Sequence, residues 1–542
     1  MTRPGPIRRL ILIPAAALLA LSGGCLQIDR WRLFDADLES HLRKETVRPI
    51  TLPEEVQPVL AEPPPFTLPD AGPVDLSVEQ AILLALHNNR DLKVRQINPI
   101  ITGTFEQIER GVFDPELFAE LTYGRERLSE TDRATGTQFN VEGSERTAVA
   151  GIRQDLPTGT TFEAAVGQGR SSSDRTPEQQ TARLGLSITQ SLLRGFGPAV
   201  NLVSVRQAEL DTLASLYELR GFTEALLSEA ETAYWNYVLA RQEIEIFERS
   251  LEVAQRQRQE VELRIEVGIL PKIEAAAARA EVALREQALI DARSLVEETR
   301  LRLLRLINPG AERPLDLRVD ATSDPAIDPE PIADLDDRLD LAERSRPDLN
   351  EARLRLTQNR LETIVTRNGL LPRLDFFIAL GQTGFAGSFS DSFRELNGET
   401  YDVTAGVRLS HFLGNRTATA LDRAARASRR QTAEAVDNLR QLVRLDVRLV
   451  ANEVERARQQ ISATRATRIL LEETLAAEEE RFSVGSGTAL LVAQAQRDLL
   501  AGSIAEVEAI VQYRIALVEL YLAEGSLLER RGVRLPAAGQ IQ

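Results

Sequence analysis

"RIEVGILPKIEAAAARAEVALRE" at Arg264–Glu286 and "RFSVGSGTALLVAQAQRDLLAGS" at Arg481–Ser503 are the two similar stretches that decide the fold. Each begins with an arginine, breaks at a Val-Gly dipeptide and continues into a segment rich in small residues. Glycine readily takes the left-handed conformation that ends a helix, and Pro271 prevents the first helix from continuing. Each stretch is therefore predicted to contain the turn of an antiparallel helical hairpin.

The segment before each turn is predicted to be one very long helix. Residues 199–267 and 416–484 contain no proline, and their apolar and small residues step by three and four, which is typical of a coiled-coil seam. The seam residues are Ala230, Ala233, Tyr237, Ala240, Ile244, Phe247, Leu251 and Ala254 in the first segment and Val443, Val447, Val450, Val454, Ala457 and Ile461 in the second. At 1.5 Å per residue each helix would measure roughly 100 Å. Return helices over 273–307 and 488–524 would complete the hairpins.

The hairpins belong to an internal duplication of helix, strands, long helix, turn and return helix. "LSVEQAILLALHNNRDLKVRQ" from Leu76 parallels "ADLDDRLDLAERSRPDLNEAR" from Ala333. The first motif predicts a helix capped by Ser77, running to about Val112 with a kink near Pro99, and the second predicts a helix over 333–369.

These motifs divide the chain into segments. The first repeat is predicted at 76–332, with an equatorial loop over 308–332. The second repeat is predicted at 333–528, and a C-terminal tail at 529–542 follows it.

Between the helices of each repeat the hydrophobic pattern changes to period two. Strands are predicted within 115–190 and 373–410; Leu184, Leu186 and Ile188, for example, alternate with polar or small residues. Segments of about nine alternating residues suit tilted membrane strands. A soluble antiparallel sheet alternates in the same way, so both kinds of sheet remain open at this point.

The first set is predicted to contain four strands and the second set two. Long polar connections are expected at 125–147 and 170–181, and a tight turn is expected in "LPTGT" at 156–160. Short turns on one side and long loops on the other are typical of an outer-membrane barrel. The hairpin built around the tight turn could instead be a flap outside the membrane.

The N-terminus has the layout of an export signal. A basic start is followed by an apolar run over Leu10–Leu21 and by small residues that precede Cys25. This resembles the lipobox of bacterial lipoproteins and predicts a signal peptide over 1–24 and acylation of Cys25, although plain cleavage would leave an ordinary thiol. The proline-rich segment over 25–75 is then predicted to be an extended, lipid-anchored leader.

The composition argues against several classes of function. The net charge of −16 is unfavourable for a nucleic-acid partner, because phosphate binding needs a basic surface. The three histidines lie in different predicted elements, without Glu or Cys partners at the spacing of metal ligands. No metal site, cofactor or enzymatic activity is therefore expected.

The chain from about Leu76 to Leu528 resembles the TolC-like outer-membrane efflux protein family, with the features of its lipoprotein type. The markers are "QSLLRGFGPAVN" at 190–201, "LSHFLGNRTATA" at 409–420 and the two Val-Gly turns. The resemblance implies a mainly α-helical fold with membrane β-structure. Long coiled-coil hairpins would form a TolC-type α-helical barrel, and a homotrimer would share one transmembrane β-barrel.

The resemblance also implies a function and its partners. The chain would be a lipid-anchored outer-membrane channel subunit with a long periplasmic portion. It would act as a passive exit duct in a tripartite efflux or type I secretion system, together with a periplasmic adaptor (membrane fusion) protein and an inner-membrane pump. Open strand edges are not tolerated in lipid, so several copies must share the barrel. With six strands per copy, a trimer would have about eighteen.

The resemblance places the Val-Gly turns at the periplasmic end of the tunnel. The residues implied in docking to the adaptor are Val267, Gly268, Leu270, Pro271, Val484 and Gly485, although they could be simple helix stops as well. Aspartates of the TolC entrance correspond to Leu491 and Gln494, which implies an uncharged constriction. Glu274 could pair with Arg264 or Arg481 and hold the entrance closed.

A periplasmic adaptor or structural coiled-coil protein is the alternative function. Such a protein also contains long helical hairpins. An adaptor would show one hairpin flanked by small β-domains, however, whereas this chain shows duplicated hairpins with paired sets of strands. The duplication therefore favours the channel.

Overall fold

The computed structural model describes residues 73–533, apart from 132, 310–313 and 397–398. The predicted signal peptide, Cys25, most of the proline-rich leader and the chain from residue 534 lie outside the described residues. The described part is mostly α-helical, with one six-stranded and one two-stranded sheet. Within these ranges, every helix is too short or too polar to cross a bilayer.

The elements alternate between helical and extended segments along the chain. The helices are α1 (Val78–Asn88), α2 (Arg90–Gly111), α3 (Pro198–Asn201), α4 (Val203–Glu266), α5 (Glu274–Ile307), α6 (Leu335–Ser345), α7 (Pro347–Gly369), α8 (Phe389–Arg394), α9 (Arg416–Ser483), α10 (Ala489–Glu524) and α11 (Leu527–Arg530). The strands are β1 (Val74–Leu76), β2 (Glu116–Thr131), β3 (Gln138–Leu156), β4 (Thr160–Ser173), β5 (Gln179–Ser191), β6 (Val319–Ala321), β7 (Arg373–Ala386) and β8 (Tyr401–Ser410).

The helix predicted from Ser77 to Val112 is divided at Asn89, which is a correction. Ser77 caps α1 as expected, since its hydroxyl accepts a hydrogen bond from the Gln80 amide at 3.2 Å. Asn89 has an extended backbone (φ −58°, ψ 126°) and its side chain caps α2 through the Leu92 amide at 3.0 Å. Pro99 lies inside α2, which continues past it.

The helix predicted over 333–369 is also divided, at Arg346. Pro347 occupies the first turn of α7, and a proline disfavours the helical conformation of the residue before it. Arg346 accordingly has φ −58° and ψ 126°, the values found at Asn89. The two breaks fall at the same position of the two aligned sequence motifs.

The two long helices, α4 and α9, form hairpins with α5 and α10. Instead of starting at 199, α4 starts at Val203, because Gly197-Pro198 begins a separate helical turn, α3. Gly268 (φ 83°) and Gly485 (φ 80°) take the left-handed conformation where the long helices end. This is the backbone geometry that the Val-Gly dipeptides predict.

The helices lie side by side in a layer with two open edges. Next to the six-stranded sheet the order is α2, α4, α7, α9, and beyond the middle of α4 it is α5, α4, α10, α9. The apolar core lies where these two halves meet, around Tyr234, Tyr237 and Leu303. One edge of the layer is therefore α2 and α5, and the other edge is α9 along its whole length.

A two-stranded parallel sheet lies at this middle level. It corrects the prediction of an extended leader up to residue 75 and of an irregular loop over 308–332, because β1 pairs with β6. The hydroxyl of Tyr234 donates to the Leu76 carbonyl at 2.9 Å, and that of Tyr237 donates to the Val319 carbonyl. These two tyrosines of α4 hold the short strands in place.

The six-stranded sheet is antiparallel throughout, with the order β2-β3-β4-β5-β7-β8. Its strands extend further than predicted, so most of the expected connection over 125–147 and part of that over 170–181 is paired strand. Backbone pairing continues there although most of the side chains are polar, with Leu128, Phe139 and Val141 as apolar exceptions. The hairpin β3–β4 lies in the middle of the sheet, which contradicts the alternative of a separate flap.

Candidate functional site

One face of the six-stranded sheet is apolar from β2 to β8. The pairing register brings the outward residues of all six strands onto this surface, called the apolar face below. It consists of Leu117, Ala119, Leu121, Tyr123, Ala148, Ala150, Ile152, Phe162, Ala164, Val166, Leu184, Leu186, Ile188, Phe376, Ile378, Leu380, Val403, Ala405, Val407 and Leu409. Leu117 is 80% exposed and Leu121 is 82% exposed.

A continuous exposed apolar surface of this kind is unfavourable in water and marks a contact with lipid or protein. Strand β8, with ten residues from Tyr401 to Ser410, matches the 9–11 residues of a tilted membrane strand. Exposed aromatic residues lie at the two ends of this strand, Tyr401 at one end and Phe412 just beyond the other. Aromatic residues flank the apolar band in membrane barrels.

The opposite face of the sheet, called the polar face below, carries mainly charged, polar and small residues, with Phe118, Val149 and Phe377 among them. Arg153 pairs with Glu163 at 2.8 Å, and Arg183 pairs with Asp402 at 2.8 Å. The second pair passes over Gly381, where an added Cβ would meet both side chains. The small residues on this face are Gly151, Ala165, Gly167, Gly185, Ala379 and Gly406.

The turn between β3 and β4 is bound to the chain that leaves β5. The Asn201 side chain donates to the carbonyls of Pro157 at 3.0 Å and Gly195 at 2.9 Å. The Gly197 amide donates to the Thr158 carbonyl at 3.1 Å. These contacts involve the residues of the "RGFGPAVN" marker and fix the central hairpin to the start of the helical layer.

The two helical turns pack together at the far end of the layer from the sheet. Val261, Ala278, Phe482, Ala489 and Val492 form one buried apolar cluster that joins both hairpins. The Arg264 guanidinium donates to the Phe482 carbonyl at 3.1 Å and lies 4.5 Å from the centre of the Phe482 ring. The structure therefore brings the two predicted docking regions into one surface, called the tip below.

Most of the predicted docking residues are exposed at the tip. Val267, Gly268, Pro271, Val484 and Gly485 are exposed, whereas Leu270 is half-buried and packs against the tip cluster. Sequence reasoning missed Ile269 and Ile273, which are 70% and 78% exposed. The available signal was the density of apolar residues in "VGILPKI", which is unusual for a solvent-exposed turn.

The predicted pairing of Glu274 with Arg264 or Arg481 is wrong in this structure. Arg264 pairs with Glu260 at 2.6 Å and Arg481 pairs with Glu478 at 2.8 Å. Both partners lie one turn away on the same helix, where an ion pair forms without ordering a loop. Leu491 and Gln494, the expected constriction residues, are exposed on α10.

A different ion pair links the two hairpins. Glu281 of α5 pairs with Arg497 of α10 at 2.7 Å and with Arg285 of its own helix at 2.7 Å. Glu281 and Arg285 are buried, and burial lowers the pKa of Arg285 while the charge of Glu281 opposes this shift. Sequence reasoning missed this pair, since nothing in the sequence indicates which face of α5 meets α10.

Buried acids also lie at the middle level of the layer. Glu231 of α4 accepts two hydrogen bonds from Arg531, at 2.7 and 2.6 Å, so the first residues of the predicted C-terminal tail are fixed to α4. Glu224 lies two helical turns before Glu231 and accepts a hydrogen bond from Arg220 at 3.0 Å. Burial raises the pKa of Glu224 to about 7.

Among the residues that the structure describes, no group of three or more His, Cys, Asp or Glu side chains could hold a metal ion. The arrangement therefore consists of surfaces: an exposed apolar face on the sheet, a polar face behind it and an apolar tip at the opposite end of the helical layer.

Known proteins share this architecture. The chain is similar to the outer-membrane channel OprN, with 18% identity and a TM-score of 0.63 over 83% of this chain and 90% of that one. It is also similar to the Campylobacter jejuni CmeC channel (16%, 0.60, 83% and 86%) and to the Neisseria gonorrhoeae MtrE channel (19%, 0.58, 84% and 90%). No curated protein matches the chain in sequence. A sequence model of the outer membrane efflux proteins matches residues 161–309 and 339–526, and the chain belongs to this family.

Proposed function

We propose that the chain is the outer-membrane channel subunit of a tripartite efflux or type I secretion system, a passive duct from periplasm to exterior. The observation that carries this proposal is the apolar face, which extends over all six strands of the sheet. Membership of the outer membrane efflux protein family supports it. The adaptor alternative, with one hairpin between small β-domains, does not fit two hairpins that share one large sheet.

The open edges of the molecule support association into a closed ring. The edge formed by β2 and α2 differs from the edge formed by β8 and α9, so copies would associate head to tail, which closes a ring when the rotation permits. Both edges expose apolar residues at helical spacing. These residues are Val94, Ile97, Ile101, Phe105 and Ile108 on α2, Val112 just beyond its end, and Leu442, Leu445 and Leu449 on α9.

These edges and membership of the family support a homotrimer. In lipid, the unpaired edges of β2 and β8 must be satisfied by strands of neighbouring copies. Three copies would form a barrel of about eighteen strands, with the apolar face towards lipid and the polar face towards the bore. The paired breaks at Asn89 and Arg346 and the paired turns at Gly268 and Gly485 support an internal duplication.

Location and partners complete the proposal. Acylation of Cys25 would anchor each copy in the outer membrane, and the helical layer would extend into the periplasm. The tip would bind the periplasmic adaptor through Val267, Ile269, Ile273 and Val484, whose exposed side chains supply apolar contact area. The adaptor would connect this tip to an inner-membrane pump, and the exposed Leu491 and Gln494 would line an uncharged entrance.

A pair of substitutions on neighbouring residues of β2 tests the orientation of the sheet. Leu121 lies on the apolar face and Thr122 on the polar face. Leu121→Arg should destabilise the membrane-inserted form by about 2–4 kcal/mol and reduce the amount of trimer in the outer-membrane fraction, because arginine would face lipid. Thr122→Arg, the matched control, should leave the trimer in that fraction.

Membrane fractionation followed by single-channel conductance of the purified protein is the measurement. A water-soluble monomer, or equal membrane insertion of the two variants, would contradict the proposed function.

A further inference from the structure

The apolar face is displaced along the strands from one side of the sheet to the other. Following the hydrogen-bonded pairs from Leu117 on β2 leads through β3, β4, β5 and β7 to Val403 on β8. Leu117 is the apolar residue of β2 nearest the helices, whereas the apolar residues of β8 begin at Val403 and continue towards the helices to Leu409. The apolar stretches of β2 and β8 are therefore offset by roughly six residues, about 20 Å along the strand.

The strands between the two edges show the same displacement. Their apolar stretches are Ala148–Ile152, Phe162–Val166, Leu184–Ile188 and Phe376–Leu380. In the observed register, each stretch from β3 to β7 lies either level with the stretch on the preceding strand or closer to the helices. The offset is therefore a gradual property of the whole sheet.

A flat lipid layer explains the offset if the strands are tilted. Apolar stretches must lie at one height in the bilayer, so the displacement along the strands measures their inclination. An offset of about 20 Å across five interstrand spacings of about 4.8 Å corresponds to a tilt of about 40°. Membrane barrels have tilts of about 35–45°.

We propose that the barrel closes through a seam between β8 of one copy and β2 of the next, in which Val407 lies opposite Ala119 or Leu121. This inference rests on the proposed trimeric channel. If the observed tilt continues by one strand, Glu120 of the next copy lies level with Val407. Glu120 is on the polar face, and lipid-facing residues must pair with lipid-facing ones, so the partner of Val407 is the residue before or after Glu120. Two registers satisfy both conditions, and they correspond to tilts of roughly 35° and roughly 43°.

The seam determines the width of the exit. At a tilt of about 40°, each strand occupies about 6.3 Å of the circumference, so about eighteen strands give a backbone diameter of about 36 Å. At mid-height the bore-facing side carries glycine and alanine, but the rings of Phe118 and Phe377 lie over Gly151 and Gly406. The bore would therefore be narrower than the backbone diameter. Helix α8 lies on the apolar face and not over the bore, because an added Cβ at Gly384 would overlap the Ser392 carbonyl.

Cysteine cross-linking of the full-length protein in isolated outer membranes tests the seam. The double variants are Val407→Cys with Ala119→Cys and Val407→Cys with Leu121→Cys. On oxidation with copper phenanthroline, one of these two should link most of the chains into covalent dimers and trimers. Val407→Cys with Thr122→Cys, which places one thiol on the polar face, should not link, and neither should each single variant, which controls for Cys25.

The outcomes distinguish a wrong register at the seam from a wrong proposed function. Native gels that show intact trimers, with neither double variant cross-linked, would overturn the proposed register. Absence of trimers from the unmodified protein, or its absence from the outer membrane, would instead overturn the proposed function.

Discussion

Glu224 is a buried acid whose charged form is disfavoured in the folded chain. Burial raises the pKa of Glu224 to about 7, although Arg220 opposes this shift. The folded chain therefore binds this proton more tightly than the unfolded chain, whose carboxyl has its ordinary pKa of about 4.5. This group's contribution to the free energy of unfolding should fall as pH rises from about 4.5 to 7, by about 3 kcal/mol in all.

The Glu224→Gln variant tests this pH dependence. The melting temperature of the purified protein should decrease between pH 5 and pH 8, and the decrease should be smaller in Glu224→Gln, which carries no titrating group at this position. Glu218→Gln, which removes an exposed acid paired with Arg355 at 3.5 Å, is the matched control and should keep the native profile. Identical pH profiles in Glu224→Gln and the native chain would contradict the assignment.

Individual residues were predictable where the cause is local. Gly268 and Gly485 could be assigned from the Val-Gly breaks, since a helix that ends in a left-handed residue favours glycine. Glu281 and Arg497 could not be assigned as a pair, because they lie on different hairpins and meet only through packing. The expected pairing of Glu274 failed for the opposite reason, as both candidate arginines have glutamates one helical turn away.

The elements show the same division between local and distant causes. Pro347 lies at a helix break, but Pro99 lies inside α2, and the break before that helix is made by the capping side chain of Asn89. The alternation of apolar and polar residues predicted the six strands but not their lengths. Polar residues where β2 ends and β3 begins continue the backbone hydrogen bonding between these strands. The pattern did not decide whether β3–β4 joins the sheet; in the structure β3 pairs with β2 and β4 pairs with β5, and Asn201 binds the turn between them.

The contact between α5 and α10 predicts how the two hairpins could separate. Glu281 is the described acid that joins Arg497 of the second hairpin to Arg285 of the first. Glu281→Gln removes the charge and leaves the side-chain volume unchanged, so the hairpins should separate more often near the tip. Cells with this variant should become several-fold more susceptible to large antibiotics that the outer membrane excludes.

The control for this prediction is Glu274→Gln on the same helix. Both arginines expected to pair with Glu274 bind other glutamates, so this variant should show native susceptibility. Antibiotic susceptibility, with the amount of trimer verified in the same membranes, is the measurement. Equal susceptibility of the two variants would show that the Glu281 pair does not hold the hairpins together.

At the scale of the whole molecule, the widths of the sheet and the helical layer agree. Four helices lie abreast next to the sheet, and at about 8–10 Å per helix they span about 32–40 Å. Six strands tilted by about 40° span about 38 Å. The hairpin β3–β4 supplies two of these strands, so without it the proposed barrel would be narrower than the proposed helical tunnel.

Removal of β3–β4 should therefore narrow the exit. Deletion of residues 138–173 would leave β2 and β5 as antiparallel neighbours and reduce a trimeric barrel from about eighteen strands to about twelve. Because diameter grows roughly linearly with strand number, the backbone diameter should fall from about 36 Å to about 24 Å. Neutral polymers added from the extracellular side should then be excluded from the bore at a size about one third smaller.

Polymer exclusion in planar bilayers is the measurement, since it reports the bore from the side opposite the tip. Gly124→Ala, a change in β2 with no neighbouring atom within 4 Å of the added Cβ, is the control and should keep the native size limit. If the deletion variant inserts as a trimer and excludes the same polymers as the native protein, β3–β4 does not form part of the barrel wall. A channel that is lost altogether would show that the central hairpin is needed for folding, because its turn holds Asn201 and the start of the helical layer.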